Sequence, residues 1–221
     1  MPTLTYRALY SLAEDQMGYV TTAQAAENGV RPMTLVMMTR RGTLERVSRG
    51  VYRLVDFPAQ PLAQYMQGTL WPYERPGVLS HETALSLYEL SDVDPAKVHI
   101  TVPANFRIQR KVPDYLVIYR VDLPDADVAR LERMPITTPG RTIRDCIAAH
   151  LGPALIGQAI EEGHRAGLLE AATVAALERE LRAATSGEGT NPSGRERRST
   201  AGGARRLNTR NGSDRSRARV R

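Results

Sequence analysis

The first fifteen residues of the chain repeat apolar positions with the period of a helix. These positions stand three or four residues apart at Leu4, Ala8, Leu9 and Leu12. Such spacing places them on one side of a helix, so the pattern predicts a first helix from Thr3 to Asp15.

A second, short helix is predicted to begin at Thr21. The Thr21 hydroxyl can accept a hydrogen bond from the free backbone amides, and Gln24 follows three residues later, as in a capping box. Gly29 is expected to end this helix, because glycine readily adopts the left-handed conformation found after helix C-termini.

A third helix is predicted from Arg31 to Arg41. Pro32 stands in its first turn, where a missing backbone amide is tolerated, and Gly42 ends it. The segments LERVS and VYRLV follow, joined by Arg49 and Gly50, and they have the composition of a hairpin. Three helices followed by a hairpin predict a winged helix-turn-helix domain at residues 1–56.

A second region is predicted at residues 57–185. It begins with two prolines in the five residues from Phe57 to Pro61, which is typical of a linker. The predicted elements are helices near Leu62–Leu70 and Glu82–Leu90, strands at Val98–Val102 and Tyr115–Val121, and helices over much of Arg141–Ala184. Helices mixed with few strands indicate a small mixed α/β domain and an α+β chain overall.

Residues 186–221 are predicted to be a disordered, arginine-rich tail. They hold almost no apolar residue and cannot bury enough surface to offset the entropy of ordering. The chain carries a net charge of +6, but the tail alone contributes +7 and the other 185 residues −1. The tail is therefore expected either to add salt-sensitive, sequence-independent affinity for nucleic acid or to be an extension without a role in binding.

Within residues 1–55, seven arginines face four carboxylates, a local excess of +3. In helix-turn-helix proteins the second helix of the motif enters the major groove, and here that helix is the third one. Leu35 and Met38 are expected to pack inward with Val30 and Leu44. The candidates that remain for a DNA-binding face are Arg31, Met33, Thr34, Met37, Arg40 and Arg41.

The roles of these candidates differ. Arg31 and Thr34 are expected nearest the bases, and Met37 either contacts a thymine methyl group or belongs to the core. Arg40 and Arg41 suit phosphates, although cations at a helix C-terminus also stabilise the helix dipole without DNA.

Arg46 and Arg49 would place positive charge on the wing. There they either follow the DNA backbone and a narrow minor groove or are ordinary solvated charges. A winged helix that makes only protein contacts is the alternative for the whole domain.

Four stretches of the sequence resemble a known family. GYVTTAQAAENGVRPMTL (18–35) and RRGTLERVSRGVYRL (40–54) are similar to the N-terminal domain of AbiEi-type antitoxins of type IV toxin–antitoxin systems. LSHETALSLYEL (79–90) and PITTPGRTIRDC (135–146) agree with regulator-like relatives, so the resemblance covers about residues 4–150.

The resemblance implies a DNA-binding transcriptional repressor of its own promoter. Such proteins are usually encoded beside a nucleotidyltransferase-like toxin. The alternative function is an antitoxin that neutralises that toxin through residues 57–185, with DNA binding secondary.

Some relatives carry a restriction-type nuclease domain, which needs clustered carboxylates and a nearby lysine around a metal ion. No lysine follows Lys111, and the glutamates of the last helices are expected on solvated faces: Glu161, Glu162, Glu178 and Glu180. The four histidines lack short metal-ligand spacing: His81, His99, His150 and His164. We therefore expect no enzyme, no metal and no cofactor.

Three other polar features have structural interpretations. Ser80 is expected to cap the helix that follows it, and Cys146, the single cysteine, to be buried in an apolar helix. Arg141 and Asp145, four residues apart, are expected to pair along a helix, unless they and their neighbours Thr138, Thr142 and Arg144 contact a toxin or DNA.

The sequence contains no run of eighteen apolar residues, and its first residues, with Arg7, Glu14 and Asp15 among the apolar positions, are not expected to form a secretory leader. Its one cysteine excludes intrachain disulfides. A cytoplasmic protein without membrane contact is expected.

Overall fold

The N-terminal region folds as three helices and a three-stranded antiparallel sheet, the arrangement of a winged helix. The computed structural model describes residues 4–73 and 75–187. The elements of this region are α1 Leu4–Glu14, β1 Tyr19–Thr21, α2 Thr22–Glu27, α3 Pro32–Arg40, β2 Leu44–Ser48 and β3 Val51–Leu54. In the sheet β3 lies between β1 and β2. The predicted order of three helices and a hairpin is confirmed, and β1 is an addition to it.

The core of this region is built from the inward-facing side chains of its helices and of its sheet. Leu9, Leu35 and Leu54 are fully buried in one cluster. Leu4 was expected on the apolar face of α1 but is 85% exposed, at the residue where the helix begins.

The second region is a mixed sheet with helices packed against it. Its elements are α4 Ala63–Leu70, β4 Val78–Leu79, α5 His81–Leu87, β5 Val98–Val102, β6 Leu116–Arg120, β7 Val128–Leu131, β8 Met134–Thr137, α6 Pro139–Ala148, α7 Pro153–Arg165 and α8 Ala171–Gly187. The α+β fold class is confirmed. The strand order is β6-β5-β4-β8-β7, with β5–β6 and β4–β8 parallel and the other pairs antiparallel.

Strand β5 is buried on both faces, as expected for a strand inside a sheet covered by helices. Val98, Ile100 and Val102 belong to the cluster that contains α4. His99 hydrogen-bonds through its backbone to Thr83 of α5, on the other face. Helices α5 to α8 share a third cluster, in which Leu85, Ile143 and Leu177 are fully buried.

The two regions meet in a common core. Tyr19 of β1 and Val51 of β3 are buried in the cluster that holds α4 and β5. The Tyr19 hydroxyl also donates a hydrogen bond to Gln67 of α4, at 3.4 Å. The division into two domains between residues 56 and 57 stays a prediction. Buried apolar residues of both regions belong to the same cluster.

The predicted disordered tail at 186–221 lies, from residue 188 onward, outside the described residues, and α8 continues through Gly187. Among the residues that are described, every helix is too short or too polar to span a bilayer.

Candidate nucleic-acid interface

A network of polar side chains fixes the start of α2. The backbone N–H of Gln24 donates to the Thr21 hydroxyl at 3.2 Å, and the backbone N–H of Thr21 donates to Oε1 of the Gln24 side chain at 3.0 Å. The predicted capping box is therefore confirmed. Gln24 also exchanges two side-chain hydrogen bonds, of 3.1 and 2.8 Å, with Gln16 beyond the end of α1. The role of Gln16 was not predicted, because the spacing of hydrophobic residues does not indicate which polar side chains hydrogen-bond between helices.

The turn between α2 and α3 follows the predicted chemistry. Gly29 has a φ of +74°, and the next amide, that of Val30, donates back to Ala25 at 2.8 Å. Arg31 is the N-cap of α3 and Pro32 is its first residue. Val30, which directly precedes this N-cap, is buried and holds the start of α3 against the core.

Helix α3 has one buried face and one open face. Leu35 and Met38 pack with Val30 and Leu44, as predicted. The open face follows the i, i+3, i+4, i+7 spacing of a helix and carries Met33, Val36, Met37 and Arg40.

Met33 is 67% exposed and Met37 38%, so Met37 is not a core residue. Val36, at 36% exposure, lies in the middle of the open face and was not among the predicted DNA-binding residues. Thr34 is only half-buried. The open face is therefore apolar along its middle and basic at its C-terminal end.

Five exposed arginines belong to α3, to its two ends and to the wing: Arg31, Arg40, Arg41, Arg46 and Arg49. Within residues 4–73 and 75–187, none of them forms an ion pair with a carboxylate. Exposed cations without internal partners keep their charge available for an anionic partner.

The wing is a tight hairpin with an irregularity in its first strand. Ser48 pairs with Val51 across the two-residue turn Arg49–Gly50, and the register shifts between Arg46 and Ser48. Gly50 has a φ of +79°, and a Cβ atom at this position would lie 2.8 Å from Cγ of Tyr73. The wing turn therefore packs directly on the segment that follows α4.

Replacing Gly50 with alanine should lower the free energy of unfolding by about 2 kcal/mol, from the positive φ and the overlap with Tyr73 together. Gly42 provides a matched control, because its φ is +74° and nothing lies within 4 Å of a Cβ there. Gly42→Ala should cost only about 1 kcal/mol. Urea unfolding of both variants measures the difference, and equal losses would show that contact with Tyr73 contributes nothing.

A buried polar cluster lies on the far face of the second sheet. The Ser80 hydroxyl is 2.9 Å from Nδ1 of His81 and accepts a hydrogen bond from Thr101 at 2.8 Å. The His81 ring stacks on Tyr119, with centroids 3.4 Å apart. Ser80 occupies the N-cap position of α5, but its hydroxyl does not cap the helix as predicted, because these partners engage it instead.

Two histidines far apart in sequence meet in this cluster. The rings of His81 and His99 have centroids 6.4 Å apart. Burial, helped by His99 and Arg141, lowers the pKa of His81 to about 3, and burial also lowers the pKa of His99. Both rings are therefore neutral near pH 7.

Arg141 lies at the centre of an ion-pair network. Its Nε donates to Asp145 and its Nη1 to Asp127, both at 2.7 Å. The predicted pairing of Arg141 and Asp145 is confirmed, and Asp127 is an additional partner. Arg144 pairs with Glu180 of α8 at 3.2 Å. These internal partners account structurally for the charged part of this motif.

The threonines of the same motif also have internal positions. Thr142 is buried, with its hydroxyl 2.6 Å from that of Thr137. Thr138 is the N-cap of α6 without a side-chain hydrogen bond.

The remaining candidates for catalytic chemistry are dispersed. Cys146 is buried as predicted, and burial raises the pKa of its thiol. Glu161, Glu178 and Glu180 are exposed and Glu162 is half-buried. In the part of the chain that the structure describes, no three histidine, cysteine, aspartate or glutamate side chains are grouped so as to hold a metal ion.

Comparison with known proteins identifies the N-terminal region. Residues 7–55 match the family described as "Transcriptional regulator, AbiEi antitoxin", as the resemblance suggested. No curated protein matches the chain. A crystal structure of the RV2827C protein from Mycobacterium tuberculosis is similar with 18% identity over 81% of this chain and 82% of that chain, at a TM-score of 0.37. At that score the two chains share too little geometry for the likeness to bear on function.

Proposed function

We propose that this chain, whose residues 7–55 match the AbiEi antitoxin transcriptional regulators, is a sequence-specific repressor that binds duplex DNA of its own promoter in the cytoplasm. It acts by binding, without a cofactor or a catalytic step. The observation that carries the proposal is the open face of α3. It presents apolar side chains flanked by arginines that have no carboxylate partner among the described residues.

This face matches what the major groove offers. Met33, Val36 and Met37 can contact thymine methyl groups, which are the apolar feature of that groove. Arg31, at the N-terminus of α3, is nearest the bases, since the N-terminal half of a recognition helix enters the groove. Thr34 adds a hydroxyl beside it.

The remaining arginines lie where phosphates are expected. Arg40 and Arg41 end α3, and Arg46 and Arg49 lie on the wing. Contacts of this kind fix the orientation of the protein on the duplex and carry no sequence information.

Two arginine substitutions separate base contacts from phosphate contacts. Arg31→Ala should reduce the preference for the chain's own upstream DNA over a random duplex by about 2 kcal/mol. Arg40→Ala should weaken binding to both duplexes equally and lower the slope of log affinity against log salt by about 1. Fluorescence anisotropy with labelled duplexes over a series of salt concentrations measures both effects.

Arg179→Ala is the matched control, because Arg179 is an exposed arginine of α8. It should change neither the preference nor the salt slope. The proposal fails if the unmodified protein shows no preference for its upstream DNA at any salt concentration.

The family description also names an antitoxin, which supports a second proposal. In it, residues 57–185 neutralise a nucleotidyltransferase-like toxin encoded nearby. Co-expression of such a neighbouring gene with the chain tests this. Growth that is rescued equally by a variant unable to bind DNA supports the second proposal, and growth arrest despite the chain contradicts it.

A further inference from the structure

A basic cleft lies beside the wing turn, and of the residues that line it the proposed function uses only Arg49. Its volume is about 710 Å³, within the range of pockets that hold small ligands. Part of its wall comes from the wing turn, part from the segment after α4, and part from the loop that joins β5 to β6. The lining includes four arginines, Arg49, Arg75, Arg107 and Arg110.

Negative charge is scarce in this wall. Among the described residues that line the cleft, Asp122 is the only carboxylate, and its Oδ1 accepts a hydrogen bond from the Ala104 amide at 3.0 Å. Counted over the residues that the structure describes, the wall therefore carries four arginines against one carboxylate.

Arg110 is held in place by the wall of the cleft. Its guanidinium carbon lies 4.1 Å from the centre of the Trp71 ring and 5.3 Å from that of Tyr73. Its Nη1 donates to the Arg49 carbonyl at 2.8 Å, and its Nη2 donates to the Trp71 carbonyl.

The contacts with the two rings and the two carbonyls fix the orientation of this guanidinium. No carboxylate of the described residues pairs with Arg110, and burial lowers its pKa. A guanidinium has five N–H donors, so the two carbonyls leave others for a ligand. A half-buried cation that is already oriented binds a phosphate with little loss of side-chain entropy.

We propose that this cleft binds a small phosphate-bearing ligand with a planar ring, such as a nucleoside phosphate, and that the bound ligand changes the affinity for DNA through the wing turn. The second part rests on the proposed function.

The two halves of such a ligand match two kinds of wall. Arg75 and Arg107 are exposed and can reach a phosphate beside Arg110. Tyr73 and Phe106 are half-buried and offer aromatic surface to a planar ring. A duplex would bring its phosphates to the exposed arginines, whereas a small ligand can enter the concave wall where Arg110 lies.

The path from the cleft to the wing is short. Arg110 binds the backbone carbonyl of Arg49, the residue that forms the wing turn with Gly50. Gly50 packs so closely on Tyr73 that a Cβ would lie 2.8 Å from that ring. A ligand that shifts Arg110 or Tyr73 therefore changes the position of Arg49.

Ligand binding can be measured on the full chain without DNA. Trp71 is the only tryptophan, so its emission reports directly on the cleft. The probes are adenosine and guanosine 5′-mono-, di- and triphosphates, with the free nucleosides and inorganic phosphate for comparison, and calorimetry confirms the stoichiometry. We expect saturable binding of at least one nucleotide, weakened about tenfold or more by Arg107→Ala because a charge-assisted hydrogen bond is lost. Arg179→Ala should leave it unchanged.

Several outcomes would overturn the proposal. If inorganic phosphate binds as tightly as every nucleotide, the planar ring does not contribute to recognition. If the free nucleosides bind as tightly as the nucleotides, the phosphate does not contribute. If no nucleotide binds while Arg75→Ala and Arg107→Ala weaken duplex binding, the cleft is part of the DNA interface instead.

The coupling has its own test. Addition of the bound nucleotide should shift the affinity for upstream DNA at least threefold in the unmodified protein and not in Arg107→Ala. An unchanged affinity in the presence of saturating nucleotide rejects the coupling. A protein with no preference for its upstream DNA rejects the proposed function, and the titration without DNA still decides whether the cleft binds the nucleotide.

Discussion

Replacing Arg141 with alanine should lower the free energy of unfolding by about 4 kcal/mol, because it leaves two mostly buried carboxylates without their cation. The Arg141 side chain is 16% exposed, and those of Asp127 and Asp145 are 28% and 14% exposed. Oδ2 of Asp145 already has no hydrogen-bond partner among the described residues. Removal of the guanidinium would therefore leave Asp145 buried with neither of its oxygens bound.

Arg144→Ala is the matched control on the same helix. Arg144 makes one ion pair, with Glu180, and both side chains are 43% exposed. Exposed pairs contribute about 1 kcal/mol or less, so this variant should unfold close to the unmodified protein. Urea denaturation followed by circular dichroism compares the two. Equal losses of unfolding free energy in both variants would mean that the buried ion pairs stabilise the protein no more than the exposed one.

Acidification from pH 6.5 to about pH 4 should remove about 3 kcal/mol of stability through His81 alone. Its pKa in the folded protein is about 3, against 6.5 when exposed. The unfolded chain takes up a proton between these values and the folded chain does not, so stability is full above 6.5 and falls as the pH drops.

The comparison of His81→Asn with the unmodified protein isolates this contribution. Asparagine tolerates the positive φ of 52° at this position and does not titrate. The variant should show a shallower loss of stability between pH 6.5 and 4, although His99 still contributes in the same direction. His164→Asn, at an exposed position of α7, is the control. Parallel pH profiles for His81→Asn and the unmodified protein would contradict the assignment.

Local chemistry made most of the winged helix predictable. Thr21, Gly29 and Pro32 each have a physical preference for the position they occupy, and the boundaries of α2 and α3 follow from them. Strand β1 was not predicted because three residues are too few for an alternating pattern.

The second sheet was harder to predict for related reasons. Strand β4 has two residues, and β8 contains Pro135, which normally counts against a strand. Both strands form because neighbouring strands and buried apolar side chains hold them, and that stabilisation depends on residues far away in the sequence.

The candidate functional residues also fall into a part that local sequence spacing predicts and a part that depends on distant residues. The helical period alone predicted which face of α3 is buried, since Leu35 and Met38 repeat with the right spacing. The basic cleft could not be predicted, because Arg49 and Arg110 are 61 positions apart and meet only through a backbone carbonyl. The contact of His81 with His99 is hidden in the same way.

The common core of the two regions restricts how such proteins can exchange parts. A winged helix transplanted alone, as residues 4–55, would carry Tyr19 and Val51 uncovered into its new host. It would also lose Tyr73, on which the wing turn packs. A recombination that changes the DNA specificity and keeps the fold must therefore transfer α4 and the segment after it together with the winged helix. Otherwise the recipient must provide an equivalent surface.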